Sequence, residues 1–575
     1  MSRLVATLRG SLIALSLFLL CAPIISAQSK ATTQPGAVEK EGSCPVLKPY
    51  GELDQFGKLY FPESVYGEAR SQTEYACRRI WYLSGEIPVS GHIFKPALYA
   101  YATSQTPAPT RAPDTTVLGR AEALRVVDAW LDSIQAYRHI PAISAGVVVG
   151  DNLVWSKGYG TLDADHRIPA GSDTIYAICS ISKLFTSISL MQEYEAGKVG
   201  LDAPITTYLP WAKLKDDGED SVPITLRGML SHSAGLPRES DFPYWSGPDF
   251  LFPTRDQIRA SIANQSPLAP AERYFEYSNL GLTLVGETVE AVSGETYAQY
   301  AKTHVLDPMG LHDTRTGMPM DLYGTRLAVG YGALKRDGSR DLLKPFNTQG
   351  ITPAAGYTST VQDLATFASW QFRLLRTGKP DILKASTLRE MQRVQFLDPG
   401  WKTSWGLGFA IQRRDNHTYV GHAGDCPGYH TVLMLRPEDE LGVVLMDNAA
   451  DRAAALAPVV FAILDKRKGY EFKGPAPVPG VDLEAYAGHY SGQPWVAESV
   501  MLPWAGGLVS LSLPNNDPVA ALEFFKPKGG DIFREVREDG SEAEELKFTR
   551  DASGKVTGYI QSSNPKLRMP PIERP

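Results

Sequence analysis

The sequence predicts an α+β fold. An antiparallel sheet draws its strands from both ends of residues 119–473, with flanking helices and an inserted helical region, and a small all-β domain follows over 474–575. Two observations carry this. Strand-like runs appear early and late in residues 119–473, with helical periodicity between them. Beyond a Pro/Gly-rich boundary at Gly474–Val481, only short strand-like runs remain. The chain has 575 residues, room for several domains, and its 43% hydrophobic and 21% charged content is that of a globular protein.

Residues 1–27 read as a secretory signal peptide. Arg3 and Arg9 precede an apolar run from Leu12 to Leu20, and Ile25-Ser26-Ala27 offers a small-residue cleavage site. The run is short for a membrane span. An uncleaved N-terminal segment is the sole membrane association expected. Export, to a periplasm or the extracellular space, implies an oxidising compartment. Cleavage leaves Cys44, Cys77, Cys179 and Cys426, which allow three disulfide connectivities. Cys44 and Cys77 are close enough in sequence to pair locally, while Cys179 and Cys426 read as small buried side chains. Residues 28–118 form an N-terminal extension: an aromatic-rich stretch over 44–101, then a linker with Pro107, Pro109 and Pro113 among Thr and Ala.

From Arg120 the pattern is regular. Leu124, Val127, Trp130, Leu131 and Ile134 make one face of a helix over 121–137. Ser144–Val149 and Leu153–Gly158 are strand-like, with Gly150-Asp151-Asn152 as the hairpin turn. A helix is expected from Ser180 to Gly197, since Ile181, Leu184, Phe185, Ile188 and Met191 recur at helical spacing. Residues 201–320 carry helical runs broken by loops, and an apolar run from Leu280 to Val285 reads as a helix. Strands return at Thr418–His422, His430–Leu435 and Leu441–Met446 as an antiparallel meander. A helix with Leu456, Val459, Val460, Ile463 and Leu464 closes the unit. Pro458 fits only in its first turn. These residues, 119–473, form the expected catalytic domain.

Chemistry concentrates at Ser180 and Lys183. Positions i and i+3 share a helix face, and a serine in the first turn meets the positive end of the helix dipole. A serine hydroxyl needs a neighbour to take its proton. Lysine can do so only when neutral, which needs desolvation or nearby positive charge. Other classes are excluded. The net charge is −7 with no Lys/Arg block, which argues against nucleic acid. No H-E-x-x-H or Cys/His cluster calls for a metal, and no other motif calls for a cofactor. G-x-S-x-G is absent.

Three motifs lie in order: Ser180-x-x-Lys183, Tyr277-x-Asn279 and His422-x-Gly424. Of the 26 tyrosines only Tyr277 has Asn two residues on. This set resembles that of the serine β-lactamase and penicillin-binding-protein superfamily. The similarity is greatest to the class C β-lactamase-like, D-aminopeptidase and esterase branch, where tyrosine fills the second motif. Met229–Pro237, Ala355–Thr360 and Gly406–Phe409 add similar phrases, and the C-terminal β domain is similar to a barrel-like appendage of some members.

The resemblance implies a serine β-lactamase-like fold and an acyl-enzyme on Ser180. Lys183 or Tyr277 would be the base, and Asn279 would hold Lys183 and the substrate. The backbone N–H groups of Ser180 and Asp425 would form the oxyanion hole, and Gly424 would let the strand approach the acyl group. His422 departs from the usual lysine. Because histidine is mostly neutral at pH 7, it favours an ester, an amide or a D-amino-acid peptide bond over efficient β-lactam turnover. The partner is then a small-molecule or peptide substrate. A penicillin-binding protein or β-lactamase acting on D-Ala-D-Ala peptides or β-lactams, and a non-catalytic sensor that keeps the pocket, are the alternatives.

Overall fold

The computed structural model describes residues 117–575 apart from 216–220, 243, 474–477, 479 and 572–575, together with the backbone of four short strands between Arg79 and Ala100. The signal-like segment, the linker, Cys44 and Cys77 lie outside the described residues. The chain divides into two units, Met1–Asp114 and Thr115–Pro575. In the first, Arg79–Tyr82 pairs antiparallel with Ala97–Ala100, and Ile87–Val89 with His92–Phe94.

The second unit opens with α1 (Val117–Tyr137), which buries the predicted face of Leu124, Val127, Trp130, Leu131 and Ile134. A hairpin follows, β1 (Ala142–Val149) and β2 (Asn152–Gly160), turning at Gly150 with φ 57°. Six more strands come late in the chain. They are β3 (Phe396–Leu397), β4 (Ser404–Trp405), β5 (Ala410–Arg414), β6 (His417–Cys426), β7 (Tyr429–Arg436) and β8 (Leu441–Asp447). The sheet order is β2-β1-β8-β7-β6-β5-β4-β3, antiparallel throughout. The two ends of the unit therefore meet where β8 pairs with β1, from Leu441↔Val149 to Asp447↔Ile143.

The near-continuous apolar run of β8 has a simple cause. Side chains alternate across a strand. Val443 and Leu445 enter one core with α1, while Val444 and Met446 enter the other with α4 (Val361–Thr377). The strand is covered on both faces, so it needs apolar residues at both parities. The first core also takes α5 (Ala453–Arg467). Pro458 is the sixth residue of α5, inside the helix rather than in its first turn. Burial of Leu456, Val460, Phe461 and Ile463 holds the helix together across the missing N–H.

The C-terminal segment is an eight-stranded antiparallel sheet in sequence order, from Gly488–Ser491 to Asn564–Leu567. Tyr490 bridges Arg568, so the first strand meets the chain just past the last, giving a barrel-like closure. Its interior holds Tyr486, Phe525, Phe533, Phe548 and Tyr559. Its Val500, Leu502 and Trp504 join the core of Trp130, whose indole N–H donates to the Asn515 carbonyl at 2.8 Å. Among the described residues no helix is long and apolar enough to cross a membrane.

Candidate active site

The α-helix expected to start at Ser180 starts later. Cys179–Ile181 forms a single 3₁₀ turn, and α2 runs from Ser182 to Glu195. Cys179 has a left-handed φ of 48° and breaks regular geometry just before Ser180. Because i and i+3 eclipse in a 3₁₀ turn, Lys183 still lies over Ser180, with Nζ 3.0 Å from Oγ.

The second motif arrives at the start of a helix. Ser278 caps α3 (Asn279–Ser293) by accepting from Gly281 N–H, so Tyr277 and Asn279 flank the cap. Asn279 Oδ1 accepts from Lys183 Nζ at 2.7 Å, and the carbonyl of Ala354 accepts from the same nitrogen at 2.8 Å. Asn279 Nδ2 donates to Glu239 Oε1 at 2.5 Å, which also accepts from Trp245 Nε1 at 2.8 Å. A carboxylate only accepts, so Glu239 dictates which end of the Asn279 amide faces Lys183.

Tyr277 lines the cleft with Ser180, whose hydroxyl acts on the phenol. Lys183 Nζ and Arg238 Cζ lie 4.9 and 5.0 Å from the centre of its ring, and the His232 ring is 4.3 Å away. His422 is on β6, its ring 6.2 Å from Tyr277 and 5.4 Å from Trp405. Its Nδ1 lies 2.6 Å from the Ala423 carbonyl, which only accepts, so Nδ1 carries the proton and Nε2 is a bare lone pair.

The strand geometry explains the cleft. β5 pairs with β6 only from His417 to Gly421, so the half from His422 to Cys426 has no neighbour on that side. A cleft of about 650 Å³ opens there, lined among others by Ser180, Arg238, Tyr277, Trp405, His422 and Asp425.

Gly424 corrects an expectation. A Cβ there would stand 2.2 Å from the Ile178 carbonyl and 2.4 Å from Thr431 Oγ1. The glycine admits the chain leading into Ser180, not the acyl group. The Asp425 side chain is exposed at the cleft and ion-paired with His430 at 2.8 Å.

A further correction concerns Cys179 and Cys426, read as unpaired. They form a disulfide, with Cα atoms 5.9 Å apart. Their 247-residue separation hid the contact, which exists only because β6 lies against the turn before Ser180.

Burial sets the protonation states. Lys183 is fully buried, and desolvation pushes its amine well below the ordinary lysine value. Glu239 opposes that shift and Arg238 adds to it. Desolvation pushes the Tyr277 phenol up, away from a phenolate. It pushes His422 down to about 3, with Lys183 adding to the shift, so the imidazole is neutral.

Ser180, Lys183, Tyr277, Asn279 and His422 thus come together, with Gly424 and Asp425 on the adjoining strand. Glu239, Arg238, Trp405 and the Ala354 carbonyl belong to the same site and were missed. His232, whose ring packs beside Tyr277, also borders the site. Its Nδ1 accepts from Ser278 N–H, but its buried Nε2 has no partner. The one available signal was position: Arg238 and Glu239 directly follow the Met229–Pro237 phrase. Among the described residues no group of three or more His, Cys, Asp or Glu side chains is arranged for a metal ion.

A family model described as Beta-lactamase matches residues 127–465. Protein flp of Staphylococcus aureus (strain COL) is 26% identical over 324 residues, 54% of this chain and 60% of its own length. Beta-lactamase-like protein 2 of Dictyostelium discoideum is 26% identical over 323 residues, 55% of this chain and 58% of its own length. The chain thus spans about three-fifths of these curated relatives. Among solved structures, an octameric penicillin-binding protein homologue from Pyrococcus abyssi superposes with a TM-score of 0.54 at 24% identity, over 78% of this chain and 99% of that one. EstCE1, a hydrolase with promiscuous acyltransferase activity, superposes with a TM-score of 0.51 at 20% identity, over 61% of this chain and 100% of that one. Both likenesses concern the fold.

Proposed function

Since the chain belongs to the β-lactamase family, whose members are hydrolases, we propose that it is an exported serine hydrolase that forms an acyl-enzyme on Ser180. Its substrate is an ester, an amide or a D-amino-acid peptide. The observation that carries this is a fully buried lysine amine 3.0 Å from a half-buried serine hydroxyl. Export rests on the N-terminal charge and apolar pattern, and the Cys179–Cys426 disulfide fits an oxidising compartment.

Each residue has a role in this reading. A neutral amine has two N–H groups and one lone pair. Asn279 Oδ1 and the Ala354 carbonyl take the N–H groups, and the lone pair faces Ser180. Lys183 takes the hydroxyl proton as Ser180 Oγ attacks the carbonyl carbon. The oxyanion sits between the backbone N–H groups of Ser180 and Asp425. The Tyr277 hydroxyl hands a proton to the leaving group and recovers one from Lys183. Water then attacks the acyl carbon, its proton passing through Tyr277 to Lys183, and Lys183 gives a proton to Ser180 Oγ as the bond between the acyl carbon and that oxygen breaks. Neutral His422 offers no cation to a substrate carboxylate, which favours esters and amides. Arg238 favours the second reading, β-lactams or D-Ala-D-Ala peptides, because its guanidinium lines the cleft beside Tyr277.

The test is to treat the protein with a fluorophosphonate, map the adduct, and screen p-nitrophenyl esters, D-amino acid amides and nitrocefin. An adduct on the Ser180 peptide with ester or amide turnover is expected. Fast nitrocefin turnover selects the second reading, and an adduct elsewhere refutes both.

Glu239→Gln tests the electrostatics. Gln retains an oxygen for Asn279 and Trp245 but removes a charge that raises the Lys183 pKa. The acid limb of the kcat/KM profile is expected to move to lower pH, while Arg238→Gln moves it to higher pH. Full pH–rate profiles of both variants decide this.

A further inference from the structure

We infer that the Cys179–Cys426 disulfide is a positioning device for the oxyanion hole, joining the two backbone segments whose N–H groups must converge on one oxygen. The inference rests on the acyl-enzyme reading of Ser180. Cys179 immediately precedes Ser180, and Cys426 immediately follows Asp425. The bond therefore ties together the outer neighbours of the two donor residues, across 247 residues of chain.

Two features make such a tie consequential. First, the donor strand is held on one side only. From His422 to Cys426, β6 pairs with β7, from His422↔Leu433 to Cys426↔Tyr429, while its pairing with β5 ends at Gly421↔Ala410. A half-strand with one neighbour can shift laterally into the cleft it borders. Second, Cys179 sits in the left-handed region, which non-glycine residues occupy only where their surroundings impose it. Two other contacts fall on Ile178, one residue further from Ser180 than Cys179 is. Thr431 Oγ1 donates to the Ile178 carbonyl at 3.2 Å, and Gly424 packs on that same carbonyl. The covalent bond is the tie adjacent to both donors.

Cutting it needs a dithiol reductant. Two electrons pass from the dithiol to the disulfide, the S–S bond breaks, Cys179 and Cys426 each gain a proton, and the dithiol closes to its own disulfide. Both cysteines are buried, Cys179 fully. The bond then breaks only under sustained reduction, which suits a structural clamp.

The experiment uses the full chain. Wild type is assayed on an ester found by the substrate screen, before and after dithiothreitol, with alkylation and mass spectrometry to count the freed thiols. Cys179→Ser/Cys426→Ser is assayed in parallel. Losing one oxyanion donor costs about 10²–10³ in kcat. Displacing the pair is expected to lower kcat at least about tenfold while KM changes less than about twofold. Affinity for a boronic acid, which places an oxygen in the hole, should fall with kcat. Affinity for the product acid should not. Reoxidation with oxidised glutathione should restore wild type alone. If the double variant does not fold, reduced wild type carries the test, and if the bond resists reduction the variant carries it. A protein lacking the bond that stays folded and keeps its kcat refutes the clamp and leaves the serine hydrolase reading standing. Oxidised wild type that turns over nothing and takes no label at Ser180 refutes both.

Discussion

Ser180→Ala is expected to lower turnover of any substrate by at least about 10⁴-fold, to the level that binding and the oxyanion hole sustain without a nucleophile. The fold should survive. Ser180 is half-buried at the cleft, and its hydroxyl meets the Lys183 amine. Alanine removes that oxygen and adds nothing, so unfolding should shift by about 1 kcal/mol or less. Lys183 keeps Asn279 Oδ1 and the Ala354 carbonyl, and so stays in place. The measurements are steady-state kinetics, circular dichroism and fluorophosphonate labelling of the variant. Labelling that persists would move the nucleophile elsewhere, and with it the roles given to Lys183 and Tyr277.

What the sequence disclosed follows from what each feature depends on. The α1 face was readable because its burial repeats at helical spacing, and the meander of β6, β7 and β8 because apolar runs of strand length are separated by turn residues. The run of β8 carried further information, since apolar residues at both parities require cover on both faces. Ser180, Lys183, Tyr277 and Asn279 stood out because few residue types can serve as nucleophile, base and orienting amide, and the motifs keep their order. Features that depend on packing between distant segments were not readable. The 3₁₀ turn at Cys179–Ile181 follows from the backbone docking of Ile178 on Tyr357, with Ile178 N–H donating to the Tyr357 carbonyl at 2.9 Å. The pairing of Cys179 with Cys426 follows from where β6 lies. Glu239 is an ordinary surface residue type until Asn279 and Trp245 both donate to it. The partnership of the barrel with α1, through Val500, Leu502 and Trp504, left no periodic trace that separates it from the barrel's own interior.

Lys183→Met is expected to cost about 10²–10⁴ in kcat/KM, the range of a general base, and raising the pH should not recover it. Methionine matches the length of the lysine stem and fills the same buried space, so the loss reports the amine rather than a cavity. Lys183→Arg should fail as well, because a guanidinium does not deprotonate at accessible pH. The signature that separates a base from a spacer is the pH profile. Desolvation holds the folded-state amine well below 10.5, so wild-type activity should fall as pH drops through that lowered value, and Lys183→Met should lose this limb. Stability carries the same sign. Between the lowered folded value and the unfolded value of 10.5, the unfolded chain binds a proton that the folded chain does not, so this group makes wild type more stable as pH rises through that window. Denaturant unfolding across the window should show that slope in wild type and not in Lys183→Met. Equal slopes in the two proteins would mean that Lys183 keeps its proton in the fold, and the base would then have to be sought elsewhere.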